Sequence, residues 1–184
     1  MGRIEDLADS YERNIKAPWQ KNLAGAQKAI FVVYAKEDER KLNARIGDFE
    51  VRTKGAGYGW RQLDLAPLFP AWMSAEEYRE SYFECPEDLQ LKLDTEFFDY
   101  VVAAVRAELT ADDVDENTVV AIYGTSSLYG FLRVSEVLDK SVGDIRGRMV
   151  LFFPGTFQQD NYSLLGARDG WNYLATPITL HQGE

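Results

Sequence analysis

Apolar residues along this chain keep two rhythms. Short unbroken apolar runs suit strands covered on both faces, and apolar residues recurring every three or four positions suit amphipathic helices. Both occur in Thr118 to Leu138. Val119 to Tyr123 is apolar throughout and predicts a buried strand. Gly124-Thr125-Ser126-Ser127 breaks the run and offers hydroxyl caps for a helix. Leu128, Phe131, Leu132, Val134 and Leu138 then fall near helical spacing, which predicts a helix directly after the loop. A parallel α/β sheet places such a strand–loop–helix unit at its centre.

The same reading extends over the rest of the chain. Ile4, Leu7, Tyr11 and Ile15 predict an amphipathic helix that stops before Pro18, because the residue preceding a proline avoids the helical region. Ala29 to Ala35 reads as a buried strand. Lys36 to Arg40 starts a helix whose stripe is Leu42, Ile46 and Phe49 and which ends at Gly55-Ala56-Gly57. Trp60 to Leu65 alternates more and is expected near a sheet edge. Pro67 and Pro70 are expected to break the chain. An aromatic helical segment with Trp72, Met73, Tyr78, Tyr82 and Phe83 comes next, up to Pro86. Phe97 to Leu109 carries the strongest helical pattern, and Thr110 to Asn117 a polar loop. Met149 to Phe153 and Asn172 to Ile178 are the last strands, the latter at an edge because of Pro177. A loop or small helix is expected at Tyr162 to Leu165.

Strands separated by helices imply parallel pairing with right-handed crossovers. The prediction is α/β: one three-layer domain over residues 1–184, with a mostly parallel sheet of about five strands flanked by helices. A chain of 184 residues suits one domain.

The formal charge of −10 argues against a basic nucleic-acid face as the main feature, so no nucleic acid is expected to bind the chain alone. The single cysteine, Cys85, excludes an internal disulfide. No run approaches the roughly 18–20 apolar residues of a membrane span. The opening MGRIEDLADSYERN has no apolar signal core. The expected setting is the cytoplasm, without a membrane.

Chemistry is sparse. Gly124, Thr125, Ser126 and Ser127 stand where a phosphate-binding loop stands, after a strand and before a helix. Phe131-Leu132, however, occupy the place where a Walker loop needs Lys-Ser/Thr. A structural turn competes there with an anion site. His181, the lone histidine, sits near the end of the sequence. The carboxylate runs lack calcium-loop spacing. No catalytic residue, cofactor or metal ligand is assigned. Arg146, Arg148, Arg168, Asp169, Trp171 and Asn172 gather around an apolar strand, and Arg168-Asp169-Gly170-Trp171 reads either as a salt-bridged turn that locks the last strand or as part of a recognition surface, since Arg and Trp are favoured at interfaces.

Several blocks resemble the BrxB family of the BREX (bacteriophage exclusion) defence systems. Towards the C-terminus they are Phe152-Phe153-Pro154-Gly155, Asn161-Tyr162-Ser163-Leu164-Leu165 and Ala167-Arg168-Asp169-Gly170-Trp171-Asn172-Tyr173-Leu174-Ala175. Pro18 to Ala26, Lys36 to Arg40, Glu77 to Phe83, and Gly130-Phe131 with Arg133-Val134-Ser135 also agree, so the likeness runs over essentially the whole chain. It supplies no catalytic motif. The resemblance implies a cytoplasmic core component of a system that methylates host DNA and blocks phage DNA replication. The implied partners are other BREX proteins: first the alkaline-phosphatase-like PglZ, then the ATPase BrxC and the methyltransferase PglX. In that reading the chain is a non-catalytic adaptor, and the interface candidates are Trp72, Tyr78, Tyr82, Phe83, Arg168 and Trp171. The alternative is a nucleotide- or nucleic-acid-binding module with a degenerate P-loop-like fold.

Overall fold

The structure, a computed structural model, describes residues 2–165 and 171–180. Its elements in chain order are α1 (Arg3–Lys16), β1 (Ala29–Tyr34), α2 (Glu39–Ala44), α3 (Ile46–Gly55), β2 (Gly59–Asp64), α4 (Leu68–Ala75), α5 (Arg79–Glu84), α6 (Pro86–Lys92) and α7 (Phe98–Leu109). Then come β3 (Thr118–Tyr123), α8 (Val134–Ser141), β4 (Arg148–Gln158), β5 (Asn161–Leu164), β6 (Trp171–Asn172) and β7 (Thr176–Ile178). Five strands run parallel in the order β2-β3-β4-β1-β7. β2 and β7 are the edges, as their alternation and Pro177 predict.

Side chains alternate across the sheet with period two, so each strand feeds two cores. Phe31, Val33, Val120, Ile122, Met149, Leu151 and Phe153 face the layer built from α4 to α8. Ile30, Val32, Tyr34, Val119, Ala121, Val150 and Phe152 face α1, α2 and α3. This is the expected three-layer α/β domain. On the second face Tyr11 and Thr53 share a 2.6 Å hydrogen bond, and Thr53 also donates to the Phe49 carbonyl. Arg52 ties α3 to α1 through Asp9 and Glu12, both at 2.6 Å.

The single last strand expected over Asn172 to Ile178 is divided, with residue 172 in β6 and only residues 176–178 in β7. Four other local expectations need correction. The helix after the central loop begins at Val134, not Leu128. Between them Gly130 is left-handed, at φ 83°, and Arg133 is extended. The apolar spacing there arises from a loop packed on the core, with Phe131 stacked on Phe69 at 4.3 Å. Second, the helix expected from Lys36 to Gly55 is split at Arg45. Third, Pro70 does not break the chain but lies in the first turn of α4; the aromatic segment does end before Pro86, as expected, and Pro86 itself opens α6. First-turn N–H groups have no helical partner, so proline costs little there. Fourth, Tyr162 to Leu165 is neither helix nor plain loop. Residues 161–164 form β5, antiparallel to β4 across Gln159 and Asp160, both at positive φ. Such a pair makes the tight turn whose twist matches a hairpin.

Candidate functional site

The loop at the carboxyl end of β3 is fixed by its own polar groups. Gly124 is left-handed at φ 75°, and a Cβ there would lie 2.5 Å from Asp64 Oδ1. Only glycine fits both constraints. Thr125 is buried, and its hydroxyl donates to the Phe152 carbonyl at 2.9 Å. The Ser127 hydroxyl and N–H both donate to the Gly124 carbonyl, at 2.5 and 3.1 Å. Ser126 donates to Glu39 Oε1 at 3.1 Å, and Tyr34 donates its phenol proton to the other oxygen of the same carboxylate. Burial, with Glu39 adding to it, pushes the Tyr34 phenol far above the usual value. So Thr125, Ser126 and Ser127 have donor roles inside the fold, and the nearest acids are Glu39 and Asp64. An anion would meet two carboxylates here, and hydroxyls that already donate inside the fold. The arrangement is that of a structural turn.

The aromatic segment divides into two kinds of residue. Trp72 and Tyr82 are buried, so they anchor α4 and α5 instead of presenting a surface. Trp72 packs on Phe97 at 5.2 Å. Lys92 sits over the Tyr82 ring at 5.9 Å and reaches Glu76 and Glu96, both at 3.2 Å. Tyr78 and Phe83, by contrast, are 61% and 70% exposed, and Leu91 on α6 is 73% exposed. Of the remaining candidates, Arg168 lies outside the described residues, as does His181, and Trp171 is placed only as backbone of β6. Among the described residues no group of His, Cys, Asp or Glu is set to hold a metal ion. No helix among them is long and apolar enough to cross a membrane.

The opposite end of the sheet holds a cavity that the sequence does not announce, although two of its lining residues, Arg146 and Arg148, stand out there. Lys28, Tyr58 and Asn117 each stand one residue before β1, β2 and β3, and Arg148 opens β4. Together with Trp19, Gln20, Lys21, Glu116 and Arg146 they line a cavity of about 340 Å³. Trp19 stacks on Tyr58 at 3.8 Å with the rings nearly parallel. The Arg148 guanidinium lies over the Trp19 ring at 4.8 Å. Gly147 lets the two arginines flank the strand start, because a Cβ there would stand 2.2 Å from the Thr118 carbonyl oxygen.

The family model described as BREX protein BrxB matches residues 66–178. The chain belongs to the BrxB family. It is therefore a component of a BREX phage-defence system, from a family without a known catalytic activity. No curated protein and no solved structure matches the chain. The match to BrxB takes in the exposed aromatic excursion, the Gly124 loop, Arg146 and Arg148. The blocks Pro18 to Ala26 and Lys36 to Arg40 lie before it, so the likeness read from them stands outside the matched region.

The aromatic segment was legible in the sequence, but not that Tyr78 and Phe83 turn outward while Trp72 and Tyr82 turn inward. The cavity was missed because its residues are scattered from Trp19 to Arg148. The available signal was that a polar or cationic residue precedes or opens four of the strand runs.

Proposed function

We propose that this BrxB-family chain is a non-catalytic adaptor of its BREX complex. It binds other BREX proteins, first PglZ and then BrxC and PglX, and through them supports host DNA methylation and phage restriction. Its place of action is the cytoplasm. The observation that carries this reading is the excursion between β2 and β3. A parallel crossover needs only about a dozen residues, whereas this one runs from Leu65 to Asn117 and includes four helices. Singly exposed apolar residues are ordinary, but Tyr78, Phe83 and Leu91 are three large ones within its two short helices α5 and α6 and the residue that precedes them. Tyrosine and phenylalanine are among the residues enriched at interface cores. Buried Trp72 and Tyr82 hold the excursion against the core, so its outer face is presented on a fixed base.

Size-exclusion chromatography with light scattering tests the reading. Mixed with its own system's PglZ, the chain is expected to co-elute at a defined stoichiometry. The double variant Tyr78→Ser with Phe83→Ser, which removes no buried group, is expected to elute separately. Separate elution of the unaltered pair at micromolar concentration refutes the PglZ pairing. Co-elution of the double variant moves the interface elsewhere.

A further inference from the structure

The cavity at the amino end of the sheet has its own chemistry, independent of the adaptor reading. In a chain of net charge −10, four cations converge on it: Lys21, Lys28, Arg146 and Arg148. Elsewhere Arg52, Arg61 and Arg106 are each tied to carboxylates. The cavity cations are tied to no carboxylate among the described residues. Lys28 donates to the Ile145 carbonyl at 3.2 Å. Arg146 donates to the carbonyls of Ala111 and Val114. Arg148 donates to those of Gly147 and Gln20. Backbone carbonyls and, for Arg148, the Trp19 ring orient these groups without a neutralising carboxylate, and among the described residues Glu116 is the one carboxylate in the lining. Half-burial of Arg148 pushes its guanidinium below the usual value, so an incoming anion would relieve an unmet electrostatic cost.

We propose that this cavity binds a mononucleotide, with its phosphate held by Arg146, Arg148, Lys21 and Lys28. Two planar guanidinium forks and two ammonium groups match a group with several anionic oxygens. The cavity volume lies at the lower end of the range for small-ligand pockets, about 300–1,000 Å³. That suits a compact ligand better than the open groove a nucleic-acid strand requires, and the net charge repels a long polyanion. A bare phosphate needs only donors. Here Glu116 and Asn117 add acceptors, suited to the hydroxyl and amino groups of a nucleoside, beside the stacked pair Trp19–Tyr58, whose Trp19 faces are already covered by Tyr58 and Arg148. The site lies at the end of the sheet opposite to where open α/β sheets ordinarily bind nucleotides.

Isothermal titration calorimetry of the full chain at low salt tests the assignment, with AMP, ADP, GMP, adenosine, inorganic phosphate and a 5′-phosphorylated trinucleotide as probes. At least one of the nucleotides is expected to bind with a Kd below about 1 mM. Adenosine is expected to bind at least tenfold more weakly than AMP. Lys21, exposed at the cavity mouth, makes the cleanest variant: Lys21→Glu is expected to weaken binding at least tenfold. Lys140→Glu, the same charge change on α8, is expected to leave it unaltered. Arg148→Lys keeps the charge, removes the fork and is expected to weaken binding without unfolding the chain, as circular dichroism checks. Absence of heat with every nucleotide overturns the proposal, as does an equal loss in Lys21→Glu and Lys140→Glu. A trinucleotide that binds tenfold more tightly than AMP reassigns the cavity to a nucleic-acid end and overturns it as well.

Discussion

At the carboxyl ends of β1, β2 and β3, the hydroxyls of Tyr34, Thr125, Ser126 and Ser127 all donate within the fold, and Glu39 and Asp64 make the surroundings acidic. At the amino ends of the same sheet, the hydrogen bonds of Lys28, Arg146 and Arg148 go to backbone carbonyls, Arg148 also lies over the Trp19 ring, and none of the three is paired with a carboxylate among the described residues. The first end has the sequence of a ligand loop and the bonding of a turn. The second has no motif and the bonding of an open site. A polar side chain is available to a ligand only if the fold has not already used its donors and acceptors, and that accounting is visible in three dimensions alone.

If the carboxyl end is structural, damage there is read in stability, and damage at the amino end is not. Gly124→Val sets the largest effect. It forces a β-branched residue into the left-handed region and against Asp64, and is expected to cost more than about 2 kcal/mol, seen in urea unfolding. Thr125→Val keeps the shape and leaves the buried Phe152 carbonyl without its donor. Its expected cost is about 1–3 kcal/mol, or a Tm lowered by roughly 2–10 °C on the scale for a domain of this size. Either variant unfolding at unchanged urea midpoint breaks the structural reading of the loop.

A smaller effect comes from pH. The folded-state pKa of Tyr34 is raised by burial and by Glu39. Its stabilising contribution is therefore complete below the ordinary phenol value, about 10, and is lost as pH rises above it. Stability is expected to fall through this window, and less steeply in Tyr34→Phe. Tyr11 and Tyr162, raised mainly by burial, keep part of the slope in the variant. An identical slope in both proteins shows that Tyr34 is not held neutral. Smallest of all is Lys21→Glu, expected to change unfolding free energy by no more than about 0.5 kcal/mol, as for other exposed positions. A larger loss assigns the cavity cations to stability.

Much of the fold can be read from periodicity alone. The unbroken runs at Ala29 to Tyr34, Val119 to Tyr123 and Met149 to Phe153 became central strands, because both faces of each are covered. The alternation in β2 and Pro177 in β7 marked the edges. Periodicity failed where tertiary packing imitates a helix, as at Leu128 to Leu132. It also failed at Gln159-Asp160, a tight turn without the Asn-Gly or Asp-Gly pair that announces one. For the site, composition identified the aromatic excursion, but burial separates Trp72 and Tyr82 from Tyr78 and Phe83. The cavity needed strand order, because β2, β3, β4 and β1 must lie side by side before the residues at their starts can meet.

If this chain works through surfaces away from the carboxyl end of its sheet, a partner must cover those surfaces and leave the Gly124 loop untouched. Hydrogen–deuterium exchange of the chain alone and mixed with PglZ tests this most directly. New protection is expected across residues 78–91, with unchanged exchange at Gly124 to Ser127. Protection centred on Gly124 to Ser127, with residues 78–91 unaffected, would contradict it.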